Sequence, residues 1–449
     1  LQYHLYTSGL VPVADPLPHQ RAIQSFFMPD KLRETLTQRN ETTLLSAPAR
    51  ELGLPQEVHV YHSLYLLEET NSQSSSQFFG HPSKVYKAVS SVDGCTYTLV
   101  RIEGFRLVNE LAMASVEFWR RIRHCNIVSI HEAFTTQAFG DSSLVFVYDY
   151  HPCAATLQSL YFTAQGQAMM QAELQAAGIN SMLIPETTLW SYITQIASAI
   201  KTAHGSGLAV RTIEPSKILM TGKHRIRIND VAMLDVLQFD NNEQNIGLQQ
   251  QADLLAFGKL IVSLACNSPQ SIHSLPQSVE LISRYYSPDL KDIVLYLLSE
   301  PMVTKTVDEV IRMIGPRILH EINSSQSYVD GLENELRREL ENGRLVRLLS
   351  KMGFINERPE FDMDPSWSET GDRYIIKLFR DYVFHQVDEN GLPVVNMVHV
   401  LSCLNKLDAG VDEKIVLMSR DEESCLIVSY KEVKNCILSA FKDLTSGRK

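Results

Sequence analysis

Apolar residues keep one rhythm in the first third of this chain and another afterwards. Short runs dominate from Tyr61 to Tyr150: YHSLYLLEE, Tyr97-Thr98-Leu99-Val100-Arg101, and SLVFVYDY at 143–150. Runs of this length, rich in aromatic and β-branched residues, predict strands. Val108 to Arg123 interrupts them with an amphipathic helix. Later the spacing turns helical. Leu189, Ile193, Ile196, Ile200 and Ala203 share one face, and Leu290, Ile293, Val294, Leu297 and Leu298 repeat the pattern between Asp289 and Ile314. The fold class is therefore α+β, with a strand-rich lobe followed by a helical one. Asn71 to Gln77 reads as a polar spacer, and the Gln-, Ala- and Met-rich stretch Phe162 to Thr188 as a mobile loop.

Beyond this domain, Ile322, Val329, Leu332 and Leu336 stand near heptad positions amid charge. They predict a short coiled coil, with a homodimer as its simplest consequence; the other reading is a helix packed on the preceding lobe. Ile375, Ile376, Phe379, Tyr382 and Val383 give a helix with one apolar face, and Phe361 and Trp367 are candidates for packing or for a partner. Asp388-Glu389-Asn390-Gly391 resembles part of a calcium loop, but Gln386 and Met397 would fill its first and twelfth positions, so it reads as a turn. Near the start, Pro29 to Arg39 predicts a helix after Phe26, Phe27 and Met28, either packed on the next domain or docking a partner. The expected divisions are 1–54 (extension), 55–316 (kinase-like domain), 317–354 (coiled coil) and 355–449 (C-terminal domain).

The candidate chemistry lies between Gly207 and Val236, where the spacing is that of a protein-kinase catalytic loop running into the magnesium loop. The first motif reads Val210-Arg211-Thr212-Ile213-Glu214-Pro215-Ser216-Lys217-Ile218-Leu219, and the second Asp230-Val231-Ala232. Thr212 replaces the Asp that orients the substrate hydroxyl, and Lys217 replaces the Asn that holds a second magnesium. Glu214 stands where a Lys meets the transferred phosphate, and Asp230 alone keeps its identity. Of the glycine loop only Gly80 survives, aligned on Val85. Arg101 falls in the place of the strand lysine, Ser115 in that of the helix glutamate, and no A-P-E follows. Asp253 matches the D-x-W-S-x-G helix and is expected to brace the catalytic-loop backbone. Trp119, Trp190 and His204 read as packing residues. The pattern describes a kinase fold that does not transfer phosphate; the alternative is an atypical active kinase using Asp230 and Arg101.

Composition narrows the field. A formal charge of −11 disfavours a chain whose main task is gripping a phosphate backbone. Seven scattered cysteines without a C-x-x-C pair fit reduced thiols rather than a zinc site. No apolar run reaches membrane-spanning length, and the start shows no basic leader, so neither a membrane nor a signal peptide is expected.

Taken together, the degraded kinase motifs, the heptads, and the strings INERPEF, DPSWSETGDRY, LFRDYVFHQV and SCLNKLDAGV resemble the adaptor subunits of poly(A)-nuclease deadenylase complexes over essentially the full length. The resemblance implies a catalytically silent domain that binds ATP, with magnesium left open. The nucleotide contacts it implies are Arg101, the hinge residues Asp149, Tyr150, His151, Pro152, Cys153, Ala154, Ala155 and Thr156, and Ser216 and Lys217. Gly80 and Asp230 complete the candidate set. The resemblance also implies a coiled-coil homodimer and a C-terminal knob that hold the catalytic nuclease subunit, in the service of poly(A)-tail shortening. The setting it implies is the cytoplasm and its processing bodies. It further implies Trp-bearing silencing adaptors near the coiled coil and poly(A)-binding protein as partners. The zinc finger and the motif for poly(A)-binding protein known in the family are not in this sequence, so direct contact with poly(A) RNA is expected to be weakened.

Overall fold

The computed structural model describes residues 26–46, 53–67, 77–78, 80–176, 178, 183–239, 245–301, 305–361 and 371–446. Trp367, the spacer residues 71–76 and part of the activation segment, 240–244, lie outside the described residues. The chain divides into two compact units, Leu36–Ile322 and the remainder before and after it.

The first described helix, α1 (Asp30–Leu44), runs past the predicted end at Arg39. The strands of the larger unit are β1 (Glu57–Val58), β2 (Tyr61–Leu66), β3 (Gln77–Phe78), β4 (His81–Ser90), β5 (Thr96–Ile102), β6 (Ile130–Thr136) and β7 (Ser143–Asp149). They form an antiparallel sheet in the order β1-β2-β4-β5-β7-β6, with β3 on β4. Both faces of this sheet are covered, so alternation decides which side chain meets which core. On β7, Leu144, Phe146 and Tyr148 join the main core shared with the helical lobe, while Val145 and Val147 join Val58, Tyr61, Leu64, Tyr86 and Leu99 on the opposite face.

Helix Val108–Arg123 proves shorter than expected: a 3-10 turn over Glu110–Met113 leads into α2 (Ala114–Arg120). The chain then passes through β8 (Ala155–Thr156), α3 (Leu157–Tyr161), α4 (Ala164–Ala176) and α5 (Glu186–Gly205). Helix α4 overturns the loop expected there. Ala, Gln and Met are strong helix formers, and their density outweighs the lack of an apolar stripe. The hairpin of β9 (Ile218–Gly222) and β10 (Arg225–Ile228) pairs with β8 and carries the degraded motifs on its flanks.

The helical lobe continues with α6 (Met233–Leu237), α7 (Ile246–Ala265), α8 (Leu275–Tyr285), α9 (Pro288–Leu298) and α10 (Val307–Met313). Gly258 lets α7 and α9 approach: a Cβ there would stand 2.9 Å from the Cβ of Leu297. Trp119 and Trp190 are buried, as expected.

Helix α11 is continuous from Gly315 to Phe361, so the expected boundary at 354/355 falls inside it. In the smaller unit, Leu345, Leu348, Met352 and Ile355 of this helix share a core with α12 (Gly371–Phe384), α13 (Met397–Ala409) and α14 (Tyr430–Thr445). A hairpin of β11 (Lys414–Met418) and β12 (Cys425–Ser429) completes the unit. Phe26 is buried in this core, and its carbonyl accepts from Asn342. Asp388–Gly391 is the turn expected of it, closed by Gly391 N–H to Asp388 O.

Candidate functional site

The catalytic-loop stretch keeps the kinase backbone without its chemistry. Asp253 Oδ2 accepts from Val210 N and Oδ1 from Arg211 N, both at 2.7 Å, which is the brace read from the sequence. His204 Nε2 lies 2.9 Å from the same carboxylate, so this histidine has a polar role besides packing. Arg211, Asp230 and Ala232 have φ of 63°, 60° and 72°. Left-handed backbone at non-glycine residues is sparsely populated and persists where the surroundings impose it. Here it keeps the loop's shape where Ala232 follows Asp230-Val231.

Thr212 is buried, and its hydroxyl donates to Val210 O at 3.4 Å. An alcohol so placed takes no proton near neutral pH. Lys217 Nζ lies 3.3 Å from Asp230 Oδ2, and both side chains are almost wholly buried. Burial raises the Asp230 carboxyl to about 6, against the pull of Lys217. Its other oxygen, Oδ1, is buried without a hydrogen-bond partner among the described residues. The fixed ammonium therefore sits where a cation would balance phosphate charge, and it repels a metal ion at the same spot. Ser216 donates to Glu214 at the mouth.

A second anion is fixed nearby. Asp235 on α6 accepts from Trp119 Nε1 and Arg211 Nη1, each at 2.9 Å. Arg211 also donates to Gln238. This network seals α6 against α2 and the catalytic loop.

The hinge follows β7. Tyr148 is fully buried, and its hydroxyl donates to Val231 O, filling the space behind the hinge. His131 Nε2 lies 2.6 Å from Asp149 Oδ1. Cys153 is exposed with φ 58°, and Ala155–Thr156 pair with Met220 and Leu219. Thr156 caps α3 through its hydroxyl. The ring of His151 is pushed down to about 4 by burial and by Arg227, so it is neutral, and its Nε2 has no partner among the described residues. Among the described residues, the unpaired His151 Nε2 at the hinge and the buried Lys217 ammonium are groups whose chemistry suits a base edge and a phosphate, whereas the orphaned Asp230 oxygen offers a phosphate no donor. Gly80, at φ 86°, enters β4 in a left-handed turn.

Arg101 is not part of this set, which corrects the sequence reading. It pairs with Val145 in the ladder and shares the far face of the sheet with Leu99 and Tyr86. There it donates to Ser143 and Asp141, pairs with Glu103 and stacks 4.1 Å over Phe139. The residue facing the main core, opposite Val85, is Val100. A slip of one residue reverses every side chain in a strand, so the lysine position is held by Val100, which carries no charge.

Lys87 is a site residue that the sequence reading missed. It lies opposite Tyr65 and Thr98 on the same face as Val85 and is 2% exposed. Its ammonium donates to the carbonyls of Thr42, Thr43 and Leu45 at the end of α1, and burial lowers its pKa. A lysine between core residues Tyr86 and Ala88 was the available signal.

A two-lobed kinase fold with Thr212, Lys217 and Val100 at its base, second-metal and lysine positions defines a pseudokinase. The comparisons specify it further. The Pan3 C-terminal knob domain family matches residues 307–444. The chain is 52% identical over 463 residues to the PAN2-PAN3 deadenylation complex subunit PAN3 of Cryptococcus neoformans, covering all of this chain and 67% of that protein. It is 47% identical over 454 residues to the subunit of that name in Dictyostelium discoideum, covering 99% of this chain and 59% of the relative. Among solved structures, Neurospora crassa PAN3 (pseudokinase and C-terminal region, in complex with PAN2) matches with a TM-score of 0.82 at 39% identity, over 93% of this chain and all of that one. The Drosophila melanogaster PAN3 pseudokinase matches with a TM-score of 0.76 at 44% identity, over 87% of this chain and all of that one. The chain belongs to the PAN3 family of deadenylation complex subunits, and it spans about two thirds, or less, of the length of these relatives.

Proposed function

We propose that this chain is a non-catalytic adaptor that binds ATP in its cleft, dimerises through α11 and carries the nuclease subunit of a cytoplasmic deadenylase complex. The observation behind the silent-cleft reading is the buried Lys217–Asp230 pair: a protein ammonium takes the charge-balancing place of a metal, with Thr212 where a base is required. Lys217, Ser216, Asp230 and the hinge backbone would hold the nucleotide. Bound ATP supplies phosphate charge and an adenine edge, and the chain's own residues bind and orient it.

Three of the four predicted seam residues support the dimer reading. Ile322, Val329 and Leu336 are 49%, 48% and 70% exposed in the single chain, while Leu332 is half-buried. An exposed a-position series on one long helix is what a partner helix covers. The Neurospora relative was solved in complex with PAN2, and that complex supports the same assembly here.

The test is light scattering of the chain alone and mixed with the nuclease subunit. A dimer that takes up nuclease is expected; a monomer indifferent to the nuclease overturns the adaptor reading. An atypical kinase would show magnesium-dependent phosphate transfer lost in Asp230→Ala, and Val100 and Thr212 argue against it.

A further inference from the structure

The last turn of α1 has no apolar reason to lie where it does. The helix DKLRETLTQRNETTL buries no residue, so polar contacts hold its end in place. Three of them come from different parts of the kinase-like unit. The Lys87 ammonium, from β4 in the strand lobe, collects the carbonyls of Thr42, Thr43 and Leu45. Thr42 Oγ1 meets Cys153 Sγ in the hinge at 3.3 Å. Arg39 Nη2 donates to Thr221 O, on β9 below the hinge, at 3.0 Å.

The chemistry of each contact suits a reversible latch. The carbonyls at a helix C-terminus lack partners within the helix and carry partial negative charge. Lys87 supplies the complementary cation, and its own burial depends on those carbonyls. Tyr65 and Tyr150 flank its ammonium with ring centroids at 5.3 and 6.0 Å. At the other end, the Arg39 bond is a single charged hydrogen bond at a partly buried site. No buried residue of α1 has to be exposed to undo either one.

We infer that α1 is a strap across the hinge side of the cleft, fastened to the upper lobe by Lys87 and to the lower lobe by Arg39, and that it restrains the lobes from opening. Separation of the lobes requires release of one fastening. The strap therefore sets the rate at which a ligand enters or leaves, a consequence that rests on the nucleotide reading above.

The experiment uses the full chain and two variants, one per fastening. Lys87→Met keeps the stem and removes the charge, while Arg39→Ala acts at the far end. Hydrogen exchange is measured without nucleotide over residues 36–45 and the hinge 149–156. Both variants are expected to speed exchange in both segments at least tenfold. Hinge exchange at the wild-type rate with α1 released would overturn the inference, and so would wild-type exchange in both segments.

Stopped-flow release of a fluorescent ATP analogue is measured alongside, with release about tenfold faster expected in both variants. Wild-type release rates from a strap shown to be undocked would overturn its role in the cleft. Failure of the wild-type chain to bind the analogue would sink the nucleotide reading instead, and the exchange data would still decide the strap.

Discussion

Lys217 and Asp230 form a buried ion pair, with Nζ 3.3 Å from Oδ2 and the second carboxylate oxygen without a hydrogen-bond partner among the described residues. The pair is electrically balanced by itself and unbalanced by any change to one member. In a dry site each charge acts strongly, because removing one partner leaves the other uncompensated.

Asp230→Asn tests the carboxylate. The folded carboxyl sits at about 6 against about 3.9 unfolded, so the folded chain holds the extra proton between those values. Stability from this group is fully present below pH 4, falls as pH rises through 6, and is flat above. Urea titrations from pH 4.5 to 7.5 should show this slope in the wild type and lose it in Asp230→Asn. Metal-free ATP affinity of that variant at pH 7.5 should exceed the wild type's, because Lys217 is no longer neutralised.

Lys217→Ala acts in the opposite direction. It leaves a buried carboxyl that protonates, and it removes the cation facing the phosphates. Metal-free ATP binding measured by calorimetry should weaken at least tenfold, and magnesium should recover part of it. Wild-type affinity in this variant would remove Lys217 from the site.

Arg101→Ala should leave nucleotide affinity unchanged and lower stability. The guanidinium is nearly buried between Glu103 and Asp141, and its loss removes one cation from both carboxylates, leaving Glu103 with Lys84 and Asp141 with Ser143 and Gly104 N, and uncovers Phe139. A loss of about 1–2 kcal/mol is expected from denaturant titration. Calorimetry on the same sample separates the two effects, since a weakened nucleotide with intact stability would return Arg101 to the cleft.

Asp235→Asn should loosen α6. The carboxylate holds both Trp119 and Arg211, and the amide keeps the shape but not the charge. A loss of about 1–2 kcal/mol is expected, with faster proteolysis between 231 and 239. Unchanged cleavage would show that apolar packing of Met233 and Val236 holds the helix alone.

These outcomes follow what local sequence carries and what it does not. The Asp253 brace was legible because it is tied to a fixed spacing from the catalytic loop. The succession of a strand-rich lobe and a helical lobe followed from the two hydrophobic rhythms. Arg101 was misplaced because two consecutive residues, Val100 and Arg101, both satisfied the spacing, and only the pairing of β5 with β7 decides which one faces the cleft. Lys87 was invisible for another reason. Its partners lie more than forty residues earlier, at the end of a helix that buries no residue, so no apolar stripe marks where that end would dock. The heptads of α11 were legible, but its length was not: apolar positions that serve the knob core follow the seam without a break.

Val100 lies on β5, while Thr212 and Lys217 share the loop before β9, so two separate parts of the fold depart from the kinase pattern. Changing any one of them leaves the other two as they are. An aspartate at position 212 would enter a buried pocket, and an asparagine at 217 would leave Asp230 without its counter-charge. A single substitution at any of these positions is therefore felt in the cleft's packing and charge balance.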